Sequence, residues 1–183
     1  MKPKKERLKK QNQKMKIPLP LELINGQSMG AVSGMKFGLG TVRNCGCEVI
    51  AVYNALLLSG VPHPFEEVAK YMVRFSMLGG LWGTFPYALG HCLRHFGLEN
   101  KKLRTRESVK KELAAGNRVV YTYWNGHRFL SSIHTVCVEQ RGEKLYVCNE
   151  YSNVTHPTET TPDAYFCQNM ITAYKVELPT LSQ

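Results

Sequence analysis

No stretch of the 183 residues approaches the roughly 20 consecutive apolar positions that span a bilayer, so no transmembrane helix is expected. A secretory signal is missing too. The basic N-terminus runs into "IPLPLELI", whose two prolines spoil the apolar core that such a signal needs. Without one, the six cysteines (45, 47, 92, 137, 148 and 167) are expected to be reduced, most of them small buried hydrophobes, and the location cytoplasmic. Acidic residues are scarce, 14 against 24 Lys and Arg, for a net charge of +10. That excess belongs mainly to one segment. Residues 1–16 hold Lys2, Lys4, Lys5, Arg7, Lys9, Lys10, Lys14 and Lys16 against Glu6 alone, which is +7 of the total. Like charges without apolar interruption predict a disordered basic tail over 1–20, able to contact anionic surfaces, and no specific nucleic-acid partner is expected. Internal repeats are absent as well. With 43% hydrophobic residues, 21–183 is expected to form one globular domain.

What is present begins after a Gly- and Met-rich approach segment over 21–43. The run "CEVIAVYNALLL" has almost no polar face and predicts a helix over 47–58, buried nearly all round and stopped by Gly60. Helices follow over 64–77 and over 84–96, the latter with Thr84 as cap, Pro86 in its first turn and Gly97 as its end. Another covers roughly 106–115. From 118 the period changes to that of strands: "RVVYTYW", "SIHTVCVEQ", "EKLYVCNEY" and the closing "NMITAYKVEL". Helices first and an antiparallel sheet second give an α+β domain.

A two-residue turn at Arg141–Gly142 would oppose residues whose numbers add to 283, setting Glu139 against Lys144 and His134 against Asn149. Val136 and Val138 would then share a face with His134 and Asn149. Helix 47–58 is the best candidate to cover that face, which would bring a thiol at its start toward the imidazole. The Asn149 amide would hold the ring and fix its tautomer. Cys, His and Asn in that chain order form the constellation of thiol acyl chemistry. Alternatives stay open: Cys45 and Cys47 could bind a metal with His91 or His95, and Trp82 and Trp124 read as core or cleft-wall aromatics. His127 could border a cleft.

"GCEVIAVYNALLLSG" resembles the nucleophile helix of papain-like cysteine peptidases, in particular the branch related to bacteriocin-leader-processing peptidases. "ESVKKELAAGNRVVYTYWN" and "HTVCVEQRGEKLYVCNEYS" are similar to that family's short helix, strand, base histidine and hairpin to the orienting residue. The resemblance covers about residues 35–152. It implies a papain-like α+β fold and a Cys-His-Asn triad that cleaves a peptide or amide bond through a thioacyl intermediate, with no metal and no cofactor. In the family's spacing the helix-ending glycine lies thirteen residues after the nucleophile, which selects Cys47 through Gly60, whereas counting from Cys45 reaches Leu58. The family's oxyanion Gln stands six residues before the nucleophile. Here that position is Thr41, and either Gln27 substitutes through a long loop or the backbone N–H groups at the helix start suffice.

The resulting expectation is a peptide or protein substrate attacked by a Cys47 thiolate, its pKa lowered by the helix N-terminus and by the adjacent imidazolium. His134 would carry the proton to the leaving amine. An acyltransferase using the same intermediate, and a papain-like shell that binds peptides without turnover, are the rival classes.

Overall fold

The computed structural model describes residues 22–126 and 132–177. The basic tail over 1–20 and His127 lie outside the described residues. The chain opens with a short helix α1 (Gly30–Ser33), a small hairpin β1 (Lys36–Phe37) and β2 (Gly40–Thr41), and a one-turn helix α2 (Val42–Cys45). The central helix α3 (Cys47–Leu58) follows at once, with Cys47 to Leu56 all buried, as its unbroken apolar run requires. Helix α4 (Phe65–Met72) is amphipathic, burying Phe65, Val68, Ala69 and Met72 at helical spacing. It stops at Met72, and the chain continues in 3-10 turns over Val73–Phe75 and Met77–Gly80, so the expected helix over 64–77 is shorter. The helix expected over 84–96 likewise begins as a 3-10 turn, Pro86–Ala88, before α5 (Leu89–His95).

The second half is a six-stranded antiparallel sheet in the order β3-β8-β4-β5-β6-β7. Its strands are β3 (Asn100–Leu103), β4 (Arg118–Asn125), β5 (Ser132–Arg141), β6 (Lys144–Cys148), β7 (Thr158–Thr160) and β8 (Met170–Val176). Helix α6 (Arg106–Ala114) starts with a capping box: Thr105 Oγ1 accepts the Ser108 N–H, and Ser108 Oγ accepts the Thr105 N–H. A last turn of helix, α7 (Pro162–Tyr165), precedes β8. Among the described residues no helix is long and apolar enough to cross a membrane.

Both faces of the sheet are covered, which is why β4 and β5 read as nearly continuous apolar runs. On one face, Val120, Cys137, Cys148, Tyr174 and Val176 pack with α3, α4 and α5. On the other, Val119, Tyr121, Tyr123, Val136, Val138, Leu145 and Val147 pack with Val109 and Leu113 of α6 and with Tyr165 and Phe166. This corrects the expected cover: the face carrying Val136 and Val138 lies under α6, and α3 lies on the opposite one. The hairpin register differs as well. Cys137 pairs with Cys148 and Arg141 with Lys144, so the turn is Gly142–Glu143 and paired numbers add to 285. Gly142 has φ +60°, which suits the first central position of a II′ turn and draws the turn one residue further along. Glu139 therefore opposes Tyr146 and makes its ion pairs with Arg118 and Arg141, while Lys144 pairs with Glu159.

Candidate active site

Helix α3 can start where it does because residue 46 is glycine. A Cβ there would stand 2.5 Å from Val42 Cγ1 and 2.7 Å from the Val42 carbonyl oxygen, so only a bare backbone lets α2 and α3 abut. The two thiols consequently point to different places. Cys45 Sγ donates to the Thr41 carbonyl at 3.0 Å, under Gly40. Cys47 Sγ lies 3.9 Å from the Ile133 carbonyl oxygen and also faces the Thr135 backbone N–H. These groups flank His134 on both sides. The pairing of β6 with β5 ends at Cys137–Cys148, so the Ser132–Val136 stretch of β5 has no β6 partner. Ile133 and Thr135 share parity with Arg141, the hydrogen-bonded residue beside the turn, and so aim their peptide groups into that gap. The start of α3 enters it.

His134 projects from the face under α6, where its ring meets that of its cross-strand partner Tyr123 edge-on at 5.8 Å. The thiol thus sits at the unpartnered edge of β5, and the imidazole leaves the strand on its α6 face. His134 Nε2 is 2.8 Å from the Asn149 backbone oxygen. A carbonyl only accepts, so Nε2 carries the hydrogen and Nδ1 of the neutral ring holds the lone pair. Burial lowers the His134 pKa, opposed by the backbone carbonyls of Asn149 and Glu150.

Asn149 holds the ring through its main chain and not through its amide as the sequence suggested. It takes the left-handed conformation, φ +63°, which Asn tolerates, at the point where the chain leaves β6. Its side chain instead serves the N-terminal segment. Asn149 Oδ1 accepts the Gln27 N–H at 2.9 Å, Nδ2 donates to Gln27 Oε1 at 3.4 Å, and the Asn149 N–H donates to Asn25 Oδ1 at 2.9 Å. Gln27 Nε2 donates to the Arg43 carbonyl at 2.9 Å, just ahead of α3. The candidate oxyanion residue is thereby tied to both the Asn149 side and the Cys47 side of the site. Thr41, at the position of the missing Gln, precedes α2 without a side-chain cap bond.

The electrostatics differ from the expected preformed ion pair. Burial pushes the Cys47 thiol well above its ordinary pKa, and the charge of Glu48 adds to the effect. With His134 shifted down, the resting pair is a neutral thiol and a neutral imidazole. Glu48 is the residue that the sequence reading passed over. Its signal was present: the one ionisable carboxyl in a helix with no polar face, next to Cys47. It is 1% exposed, its Oε2 has no hydrogen-bond partner, and burial raises its pKa to about 7.

The remaining candidates resolve elsewhere. His95 stacks on Tyr71 at 3.6 Å and His91 Nε2 bonds the Tyr71 hydroxyl at 2.9 Å, so both belong to the α4–α5 contact. Among the described residues no group of three or more His, Cys, Asp or Glu could hold a metal. Trp82 and Trp124 are 64% and 41% exposed and are not core residues. All six cysteines are unpaired, and all but Cys167 are buried.

The chain matches no protein-family model and no curated protein. Among solved structures it is similar to the peptidase domain of Streptococcus ComA, a bi-functional ABC transporter involved in quorum sensing. The identity is 12%, over 73% of this chain and 90% of that one, with a TM-score of 0.53. It is also similar to a double glycine motif protease from an AMS/PCAT transporter, solved in complex with the leader peptide. There the identity is 15%, over 72% and 84% of the chains, with a TM-score of 0.48. The likeness to the first is one of fold: a papain-like α+β peptidase architecture, as the sequence led us to expect.

Proposed function

We propose that this chain is a papain-like cysteine peptidase that cleaves a peptide or amide bond with Cys47 as nucleophile and His134 as base. The observation that carries the reading is the seat of the Cys47 thiol against the backbone on either side of His134, whose other ring nitrogen is already committed to Asn149. Its counterpart Cys45 points to Thr41 and has no such neighbour. The shared fold with the ComA peptidase domain supports a peptide as substrate.

Because the resting pair is neutral, proton transfer accompanies attack. As the Cys47 sulfur bonds the carbonyl carbon, its proton passes to His134 Nδ1, and the Asn149 carbonyl steadies the imidazolium through Nε2–H. Backbone N–H groups in the first turn of α3 have no intrahelical acceptor and, with Gln27 Nε2, face the developing oxyanion. Collapse breaks the C–N bond and His134 gives its proton to the departing amine. Water, deprotonated by the same ring, then hydrolyses the thioester and restores the thiol. An amine in place of water would make the enzyme a transferase.

The test is Cys47→Ala, which is expected to abolish both peptide hydrolysis and labelling at position 47 by a thiol-directed electrophile, read by peptide mass mapping. Hydrolysis that persists in Cys47→Ala rejects the assignment. A second reading, a peptide-binding cleft without turnover, is favoured by the burial of Cys47, 6% exposed, and by Thr41 in place of Gln. It requires peptide binding with no hydrolysis by the unaltered chain.

A further inference from the structure

The buried carboxyl beside the nucleophile has no part in the mechanism above, and its surroundings are specific. The Glu48 carboxyl faces its own backbone N–H, the Cys47 thiol and the Thr84 backbone N–H. Gly83, with φ +74°, closes the space: a Cβ there would stand 2.8 Å from Glu48 Oε2 and 2.9 Å from Oε1. A glycine in a left-handed turn is thus packed directly on the carboxyl, and water is shut out. From α2, Cys45 is the second titratable group within its influence. From β5, His134 lies beyond the thiol. The Gly83–Thr84 segment offers backbone only, and among the described residues no Lys or Arg forms an ion pair with Glu48. Of the groups that this walled-in carboxyl faces, the Cys47 thiol is the titratable one.

We propose that Glu48 is a proton-linked restraint on the nucleophile, its carboxylate holding the Cys47 thiol protonated and its neutral form releasing that hold. This rests on Cys47 being the nucleophile and adds how its reactivity is set. Ionised Glu48 places a negative charge beside the sulfur and accepts the S–H, so a second negative charge on sulfur is disfavoured. The two groups titrate as a pair, and Glu48 is the first of them to ionise as pH rises. Its midpoint of about 7 puts the change within the physiological range.

The experiment is the pH profile of iodoacetamide alkylation at Cys47 in the full chain, resolved from Cys45 and Cys167 by peptide mass mapping, for the unaltered protein and for Glu48→Gln. The expected result is a midpoint lower by about one pH unit in Glu48→Gln, hence roughly tenfold faster alkylation on the rising limb. An unchanged or higher midpoint overturns the proposal and leaves Cys47 as nucleophile. Should Glu48→Gln fail to fold, the Glu48 13Cδ resonance of the unaltered chain is followed by NMR against pH. Titration near neutrality, displaced upward in Cys47→Ala where the S–H donor is gone, supports the proposal, and titration in the ordinary carboxyl range overturns it. That measurement decides Glu48 even if Cys47 is alkylated at no pH, the outcome that would reject the peptidase reading instead.

Discussion

A carboxyl held at 1% exposure changes how the molecule responds to pH, whatever it does in catalysis. At acid pH Glu48 is protonated in both folded and unfolded chains. Between 4.5 and about 7 the unfolded chain releases a proton that the folded one keeps, so stability falls as pH rises through that interval. The loss is about 3 kcal/mol once the folded group has ionised. Glu48→Gln removes this dependence. Its urea midpoint should match that of the unaltered chain near pH 4.5 and exceed it at pH 8. His134 acts with the opposite sign: its lowered pKa makes its contribution present above the unfolded value and lost as the solution is acidified below it.

At the scale of elements, the join between α2 and α3 decides where the thiol stands. Gly46→Ala would put a methyl group into Val42, with contacts of 2.5 and 2.7 Å that only movement of the helix start can relieve. Overpacking of this kind costs about 1–3 kcal/mol, and the same movement draws Cys47 away from Ile133. Denaturant unfolding should register the first effect, and slower labelling at Cys47 the second. The elements themselves were largely legible. Helix Cys47–Leu58 has the predicted bounds because an apolar run that long has no alternative to full burial, and β4, β5 and β8 follow from their β-branched and aromatic content. Strand β3 was not legible: in "NKKL" only Leu103 is buried, and the strand exists because β8 offers it an edge. The hairpin slipped by two residues because charge pairing and turn geometry pointed to different registers, and the backbone preference of Gly142 prevailed. Asn149 consequently falls beyond the end of β6, and the bond between it and His134 moved from an amide to a main-chain carbonyl.

For the molecule as a whole, the segment at 22–29 is part of the body and not an approach to it. Tyr53 donates to the Glu22 carbonyl, and the buried Asn54 amide bonds both the N–H and the carbonyl of Ile24. Asn25 and Gln27 meet Asn149, and the Ser28 N–H donates to the Ser152 carbonyl at 2.9 Å. A chain beginning at Gly30 strands two buried amides, Asn54 and Asn149, at about 1–3 kcal/mol each. Urea unfolding should show roughly 2–6 kcal/mol less stability, with the far-ultraviolet signature of the sheet retained.

Those few residues stitch the half of the fold that carries Cys47 to the half that carries His134 much as a single basting thread holds two panels of cloth. One protease cut between Gln27 and Arg43 would leave Cys47, His134 and Asn149 on one polypeptide yet let the panels part, abolishing the proposed activity by loss of alignment.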